Sequence, residues 1–531
     1  ARPSAGRVVG EVLGVVVGGF VLGDVGVFDP ILDAPQFVEG FGGDAAALNK
    51  LRSIKDGIID TIVTMDDAPD DDTMNLSDLR ARGRARGFDE VDAQLEKLDA
   101  DTVCMLIYTS GTTGLPKGVM LDHGNMMSVA KGVGEHNPQI KTLDEGYILV
   151  SYLPLSHIAE QMFTIMGHLE YGGQVYFCPA LDLMKDMLPE VRPTVFVGVP
   201  RVWEKFQAAL EARLGSATGL RKALAGWALS TEKKATLTEI GGGTAGGFGR
   251  GLANKLVIGK IHAALGLDRV VFCASGAAPI SKRTLEFFAS LGVVIHEGFG
   301  MTETAGAVTS QPTNRPLFGT VGQAIPGVEV KIGEDGEILL RGRAMTRGYY
   351  KNEDETQKLL DGENWLHTGD LGKLDEQGFV SITGRKKEIL ITAGGKNVAP
   401  VEIEVKLNAI AGVGQSVVMG DREPYLVALI VLDREAIPEL QSTLGLESDD
   451  PAAIAADPKF LKHLQDGVDA ANSGLARYQT IKRFEVLFEE FTVEGGELTP
   501  SLKLKRPIIA KKYDSQVRAL YTNAGATARA S

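Results

Sequence analysis

From about residue 102 the chain alternates short apolar runs with longer amphipathic stretches. Residues 103–108, 147–155, 175–177, 194–199 and 270–274 are apolar, and Gly, Pro or Ser bounds each run. Runs this short between helical stretches predict buried parallel strands in an α/β core. Upstream, residues 90–98 place Val91, Leu95 and Leu98 on one helical face. Residues 66–72 hold five aspartates and predict a solvated loop. Residues 240–251 are glycine-dense and predict a flexible surface loop. After about Asp375 the units shorten: a strand over 379–383, a strand over 389–393, then a helix. That helix opens at Pro400, a good first-turn residue, and continues through Val401, Val405 and Leu407. These shifts divide the chain into an atypical or incomplete N-terminal region (1–100), a core (101–386) and a C-terminal domain (387–531). The first forty residues are rich in Gly and Val without a sustained period. The chain starts at Ala1, so a processed, tagged or incomplete chain is expected.

Composition narrows the class. The 531 residues are 44% hydrophobic and 23% charged, which excludes disorder, collagen and a disulfide scaffold. The formal net charge of −14 provides no basic field for a nucleic-acid backbone, so no nucleic-acid partner is expected. Cys104, Cys178 and Cys273 form no CxxC pair. Two of them lie in apolar runs and are expected as buried thiols. Few cysteines in a large chain suit a reducing compartment, hence a cytoplasmic location. No apolar run reaches the ~18 residues of a membrane span. The nearest, over 12–23, is closed by Glu11 and Asp24.

The strongest chemical signal is Tyr108-Thr109-Ser110-Gly111-Thr112-Thr113-Gly114-Leu115-Pro116-Lys117-Gly118. It follows an apolar run. Its glycines let backbone N–H groups approach an anion, while its hydroxyls and Lys117 add donors and charge. It is not a Walker A loop: Pro116 and Gly118 stand where that motif needs Gly and Ser/Thr.

The loop resembles the phosphate loop of the adenylate-forming enzymes, a family that includes acyl-CoA synthetases, luciferase-like enzymes and peptide-synthetase adenylation domains. Six further segments match that family in order. Tyr152-Leu153-Pro154-Leu155-Ser156-His157 resembles its acyl-pocket segment. Ser275-Gly276-Ala277-Ala278-Pro279 resembles its adenine-binding turn. Gly298-Phe299-Gly300-Met301-Thr302-Glu303 resembles its G-[YF]-G-x-T-E segment. Trp365-Leu366-His367-Thr368-Gly369-Asp370 resembles its ribose-binding segment. Gly384-Arg385-Lys386-Lys387-Glu388 with Gly394-Gly395-Lys396-Asn397-Val398 resembles its hinge and following loop. Pro500-Ser501-Leu502-Lys503-Leu504-Lys505-Arg506 resembles its C-terminal lysine segment, with Leu502 where many members have glycine. Stretches 151–162, 194–206 and 495–513 look most like long-chain, bubblegum-type acyl-CoA synthetases.

The resemblance implies an α/β fold: a large domain of layered sheets and helices, plus a small mobile α+β C-terminal domain. It also decides among readings that the residues leave open. Glu303 alone reads equally as a helix-start acid or a magnesium ligand; the resemblance implies magnesium. Asp370 alone is a turn aspartate or a ribose acceptor. Arg385 alone is a surface ion pair or a fork for phosphate or ribose oxygens. His157 alone is a packed or capping histidine, and the resemblance puts it beside the acyl and phosphate pocket without assigning it proton transfer. Lys503, Lys505, Arg506, Lys511 and Lys512 read as a solvated basic face, and only the resemblance singles out Lys503. Lys387 takes the hinge position. The implied reaction uses ATP, Mg²⁺ and coenzyme A. A long-chain fatty acid becomes an acyl-AMP and then a thioester. Such an acid partitions into bilayers, so peripheral membrane contact is an expectation. The alternatives are an acyl-AMP-forming enzyme that serves a carrier protein, and a truncated, inactive relative.

Overall fold

The computed structural model describes residues 52, 73–109, 116–215, 217–492, 495–499 and 503–522, together with the strands Glu39–Gly42, Thr61–Thr64 and Ala528–Ala530. The Gly/Val-rich start, the aspartate run, Ser110–Leu115 of the phosphate loop and Pro500–Leu502 fall outside these residues.

A parallel sheet of β1 (Glu39–Gly42), β2 (Thr61–Thr64) and β3 (Thr73–Asn75) comes first. Next, β4 (Val103–Thr109) pairs antiparallel with β5 (Lys117–Asp122). This corrects the expectation of a parallel strand at 103–108. The span 110–116 is long enough for a hairpin but too short for a parallel crossover, which needs a dozen or more residues. The other apolar runs do form parallel strands. β6 (Tyr147–Ser151) pairs with β7 (Gly173–Phe177), and β6 stops four residues before the predicted 155. β8 (Val195–Val197), β9 (Phe272–Ser275) and β10 (Ile295–Met301) run parallel in a five-stranded sheet. That sheet turns antiparallel at β11 (Gly306–Ser310) and β12 (Gln323–Ala324). Thr194 joins β6 to β8. Its hydroxyl accepts from the Ile148 N–H at 2.9 Å and donates to the Gly146 carbonyl at 2.8 Å.

Helices cover these sheets. Trp203, on helix Pro200–Gly215, is fully buried against Phe196 and Phe288 at ring separations of 5.1 and 4.9 Å. Its indole N–H donates to the Gly198 carbonyl at 3.0 Å, so the ring is buried with its polar atom satisfied. The predicted loop at 240–251 ends early, because Phe248–Ala253 is helical. Arg250 ties that helix back to Glu232.

An antiparallel sheet follows: β13 (Val328–Ile332), β14 (Glu337–Gly342), β15 (Leu366–Leu374) and β16 (Val380–Arg385). Then come the hairpin of β17 (Leu390–Ile391) and β18 (Asn397–Val398) and the expected helix, Pro400–Asn408, with Pro400 in its first turn. The C-terminal sheet holds β19 (Val413–Met419), β20 (Leu426–Leu432) and β21 (Ile481–Leu487). β20 is apolar at every position because it is covered on both faces. Leu426, Ala428, Ile430 and Leu432 enter one core, and Val427, Leu429 and Val431 enter the other.

Cys178 and Cys273 are buried and Cys104 is partly buried; all three are free thiols. Burial pushes the Cys104 thiol up to about 12, with the Asp122 charge adding to it. Among the described residues no helix is long and apolar enough to cross a membrane.

Leu429 is fully buried in β20. Leu429→Ala is expected to destabilise the C-terminal domain by about 2–5 kcal/mol, read by denaturant unfolding. A loss well below that range would mean that β20 is not the two-faced core strand described.

Candidate functional site

Most of the sequence-predicted residues line one cleft of about 3050 Å³ between the large domain and the C-terminal domain. Thr109, Lys117, His157, Ser275, Gly276 and Ala277 line it from the large domain. Gly298, Phe299, Gly300, Thr302, Glu303, Asp370 and Arg385 line it as well. Lys387 and Lys503 complete it. Gly394 and Gly395 do not line it; they form the turn between β17 and β18, with Gly395 at φ +71°. Ser110, Gly111, Thr112, Thr113 and Gly114 belong to the undescribed loop between Thr109 and Pro116.

Local structure explains the placement of each group. Asp370 sits inside β15, not in a turn, and pairs in register with Arg385 of β16. The Arg385 Nε lies 2.9 Å from the Asp370 carboxylate. Burial raises the Asp370 pKa, and the opposing pull of Arg385 only partly offsets it. Lys503 is tied to Thr499. Its N–H donates to Thr499 Oγ1 at 3.0 Å, and its carbonyl accepts from the Thr499 N–H at 2.8 Å. Burial lowers the Lys503 pKa and the Arg385 charge lowers it further, while Asp370, Glu303 and Glu388 pull the other way. Four charged groups from three segments thus lie within electrostatic reach of one lysine.

His157 caps the short helix Ile158–Glu160, with its Nδ1 accepting from the Ala159 N–H at 3.2 Å. The capping role expected from the residue alone is therefore present, and so is its position in the cleft. Burial, then the charge of Lys503, pushes its imidazole down to about 4. It is neutral near pH 7. Glu303 is buried, and one carboxylate oxygen accepts from the Tyr349 hydroxyl at 2.7 Å. Among the described residues no three His, Cys, Asp or Glu side chains cluster as a metal cage. Magnesium bound to a nucleotide needs only one or two carboxylates besides phosphate and water oxygens. Glu303 fits that requirement.

The backbone contributes directly at two turns. Gly300 lies at a register shift between β10 and β11, where an added Cβ would fall 1.8 Å from the Gly306 carbonyl. Only glycine allows the strands to approach this closely. Ala277 takes a left-handed φ of +68°, a strained conformation for a residue with a side chain. It sits in the Ser275–Pro279 turn. Beside it, Ser275 Oγ and His296 Nε2 are buried without a hydrogen-bond partner. Unpaired buried polar atoms are costly, so a polar ligand group would find partners there.

Sequence reasoning missed four contributors. Glu297 precedes Gly298 on β10 and lines the cleft, and burial pushes its carboxyl up to about 8. An acid inside an apolar strand was the available signal. His296 is its neighbour. Tyr349 orients Glu303, and Glu355 forms an ion pair with Lys117; neither carries a local signal, because each acts across a long sequence separation. Lys117 also lies 5.0 Å from the Tyr349 ring centroid.

Comparisons with known proteins give the family. The family model described as AMP-binding enzyme matches residues 38–350, and that of the AMP-binding enzyme C-terminal domain matches residues 387–525. The chain belongs to the AMP-binding enzyme family. A long-chain-fatty-acid–CoA ligase of Xenopus laevis, ACSBG2, is 39% identical over 477 residues, covering 83% of this chain and 64% of its own. The chain thus spans less than two thirds of that relative. A long-chain-fatty-acid–CoA ligase of Mycobacterium bovis, FadD15, is 37% identical over 437 residues, covering 81% of this chain and 71% of its own. The adenylation domain of a carboxylate reductase from Mycobacterium chelonae superposes with a TM-score of 0.62 at 25% identity. It covers 90% of this chain and 67% of that one.

The pKa direction of His157 predicts a pH effect. Its folded pKa is depressed from 6.5 to about 4, so the unfolded state binds the extra proton between those values. Stability therefore falls as pH drops through that window. His157→Asn keeps a good capping side chain and should flatten the fall, read as melting temperature from pH 7 to 4. An unchanged slope would place the titration elsewhere.

Proposed function

We propose that this chain is an ATP-dependent ligase that activates a long-chain fatty acid as acyl-AMP and transfers it to coenzyme A. The observation that carries the reading is the gathering of Lys503, Arg385, Asp370, Glu303 and His157 on one cleft. The names of its relatives support the fatty-acid substrate. Apolar lining residues such as Met126, Met162 and Phe163 suit an acyl chain.

In this reading a carboxylate oxygen of the acid attacks the α-phosphorus of ATP. The bond to the bridging oxygen breaks, and pyrophosphate leaves. The protein's work is positioning and charge stabilisation. Lys503 offsets charge at the transferring phosphoryl group. Arg385 and Asp370 hold ribose and phosphate oxygens. Ser275, Gly276 and Ala277 form the adenine turn, with Gly298, Phe299 and Gly300 as its floor. Thr109, the following loop and Lys117 hold the outer phosphates, for which Lys117 must exchange its Glu355 partner. Glu303 would hold Mg²⁺, which would neutralise phosphate charge, and Thr302 contacts phosphate. His157, neutral and capped, lines the acyl side. The coenzyme A sulfur then attacks the acyl carbonyl, and AMP departs. Between the steps the C-terminal domain, from about residue 387, rotates at Lys387. That motion withdraws Lys503 and brings Gly394 and Gly395 toward the thiol entrance. A long-chain acid is drawn from bilayers, so peripheral contact with a membrane belongs to the same reading.

Product analysis by mass spectrometry tests it, with ATP, Mg²⁺, coenzyme A and a panel of fatty acids. Long-chain acyl-CoA is the expected product. Lys503→Ala should slow acyl-AMP formation roughly 100- to 1000-fold while sparing thioester formation from supplied acyl-AMP. Acyl-AMP without thioester would overturn the coenzyme A step, and no product would overturn the ligase. Lys387→Pro should impair thioester formation more than adenylation; equal losses in both half-reactions would remove the hinge assignment.

A further inference from the structure

We propose that the helical hairpin of Gly219–Ile240 and Phe248–Ala253, continued through Leu265, is the surface by which the protein docks on an anionic lipid bilayer. The inference names the face for the membrane contact proposed above and rests on that part of the reading.

The hairpin is built as one unit. Arg250 bridges back to Glu232 at 2.8 Å and also pairs with Glu239, so the second helix is fastened along the first. Each helix leaves an apolar stripe outside. Leu220, Leu224 and Trp227 recur at i, i+4 and i+7, and Phe248, Leu252 and Leu256 at i, i+4 and i+8. Those spacings place each trio on one helical face. Leu220 and Phe248 are each 89% exposed, the most exposed large apolar side chains among the described residues.

Charge chooses the occupant. Residues 213–267 carry eight Lys and Arg against two Glu, in a chain whose net charge is −14. Both glutamates are taken up by Arg250. Arg221, Lys222, Lys255 and Lys260 stay exposed near the stripes. Apolar side chains flanked by cations are what an interfacial helix presents to acyl chains and anionic headgroups. A second copy of the same face would bring like charges together. Helix Pro200–Gly215, which precedes the hairpin, also lines the cleft through Pro200, Arg201 and Glu204, so the docked face is linked to the site that takes the acid.

The full chain supplies its own reporter. Of its three tryptophans, Trp227 is 40% exposed, whereas Trp203 is 0% and Trp365 7% exposed. The test uses vesicles of phosphatidylglycerol mixed with phosphatidylcholine, and vesicles of phosphatidylcholine alone, without ATP, acid or coenzyme A. Expected are co-sedimentation with the anionic vesicles, weakening at high salt, and quenching of tryptophan emission by brominated lipid. Leu220→Glu with Phe248→Glu should lower vesicle affinity about tenfold, with an unchanged melting temperature and unchanged turnover of detergent-dispersed acid. A Lys222→Glu, Lys255→Glu pair should act in the same direction on anionic vesicles only. Equal binding by the apolar variant would overturn the assigned face. No binding of the wild type, or no preference for anionic lipid, would overturn the docking itself. A dimer of the wild type that the variant dissolves, seen by sedimentation velocity, would reassign the face to a second copy. None of these results bears on thioester formation, so the ligase reading stands or falls separately.

Discussion

Lys503 reaches the cleft at an electrostatic cost, and the rest of the site is arranged around that cost. An ammonium taken out of water next to a guanidinium is disfavoured twice, by burial and by like charge. Asp370 offsets both cations, yet its own carboxyl is pushed up by burial. Glu303 and Glu388 contribute in the same direction. Two cations thus face partly desolvated acids, in a cleft also lined by Lys117. In the proposed reaction a polyphosphate is the anion that these cations meet, and the stabilisation is greatest where charge develops in the transition state.

This arrangement spans two domains, and the seam between them is lightly built. Arg201 donates to the Gly414 carbonyl at 3.0 Å, Arg283 to the Ala409 carbonyl at 2.9 Å, and Lys205 meets Glu435 at 2.8 Å. The Lys205 pair is solvent-exposed, and pairs of that kind contribute about 0–1 kcal/mol. Each domain, by contrast, has its own apolar core, and β20 is covered on both faces. Strong cores beside a weak polar seam are the mechanical condition for two domains that turn as units. The Arg506–Glu404 pair, at 2.6 Å, lies within the C-terminal domain and would travel with Lys503.

Much of this was legible in the sequence, for identifiable reasons. The parallel strands at β6, β8 and β9 announced themselves as short apolar runs because both their faces are covered. The helix at Pro400 was marked by its own first-turn proline. The strand at β4 was read with the wrong partner, because an apolar run does not say which neighbour it pairs with; the length of the following span does. Asp370 looked like a turn residue because Gly369 precedes it, whereas pairing with Arg385 across β15 and β16 keeps it in a strand. Tyr349 and Glu355 left no trace at all. Their partners lie 46 and 238 residues away, and no local pattern encodes a contact at that range. Lys503 was chosen by resemblance from a run of five cations. Lys503, Lys505 and Arg506 all line the cleft, with Arg506 paired to Glu404, while Lys512 is paired with Glu497.

The two lysines of the cleft then differ in a way that bears on order. Lys117 is already engaged, by Glu355 and by the ring of Tyr349. Lys503 has charged neighbours but its ammonium group lies in no ion pair among those described. A lysine held by a carboxylate must release it to grip a phosphate, and that exchange resembles a swap of equals at a partly solvated site. A lysine among like charges gains its counter-charge only when the anion arrives. The first arrangement suits a group that captures substrate, and the second suits one whose stabilisation is saved for the reacting complex. Tyr349 links Lys117 to Glu303, since its ring lies near Lys117 and its hydroxyl donates to Glu303. The proposed outer-phosphate lysine and the proposed metal position therefore share one side chain.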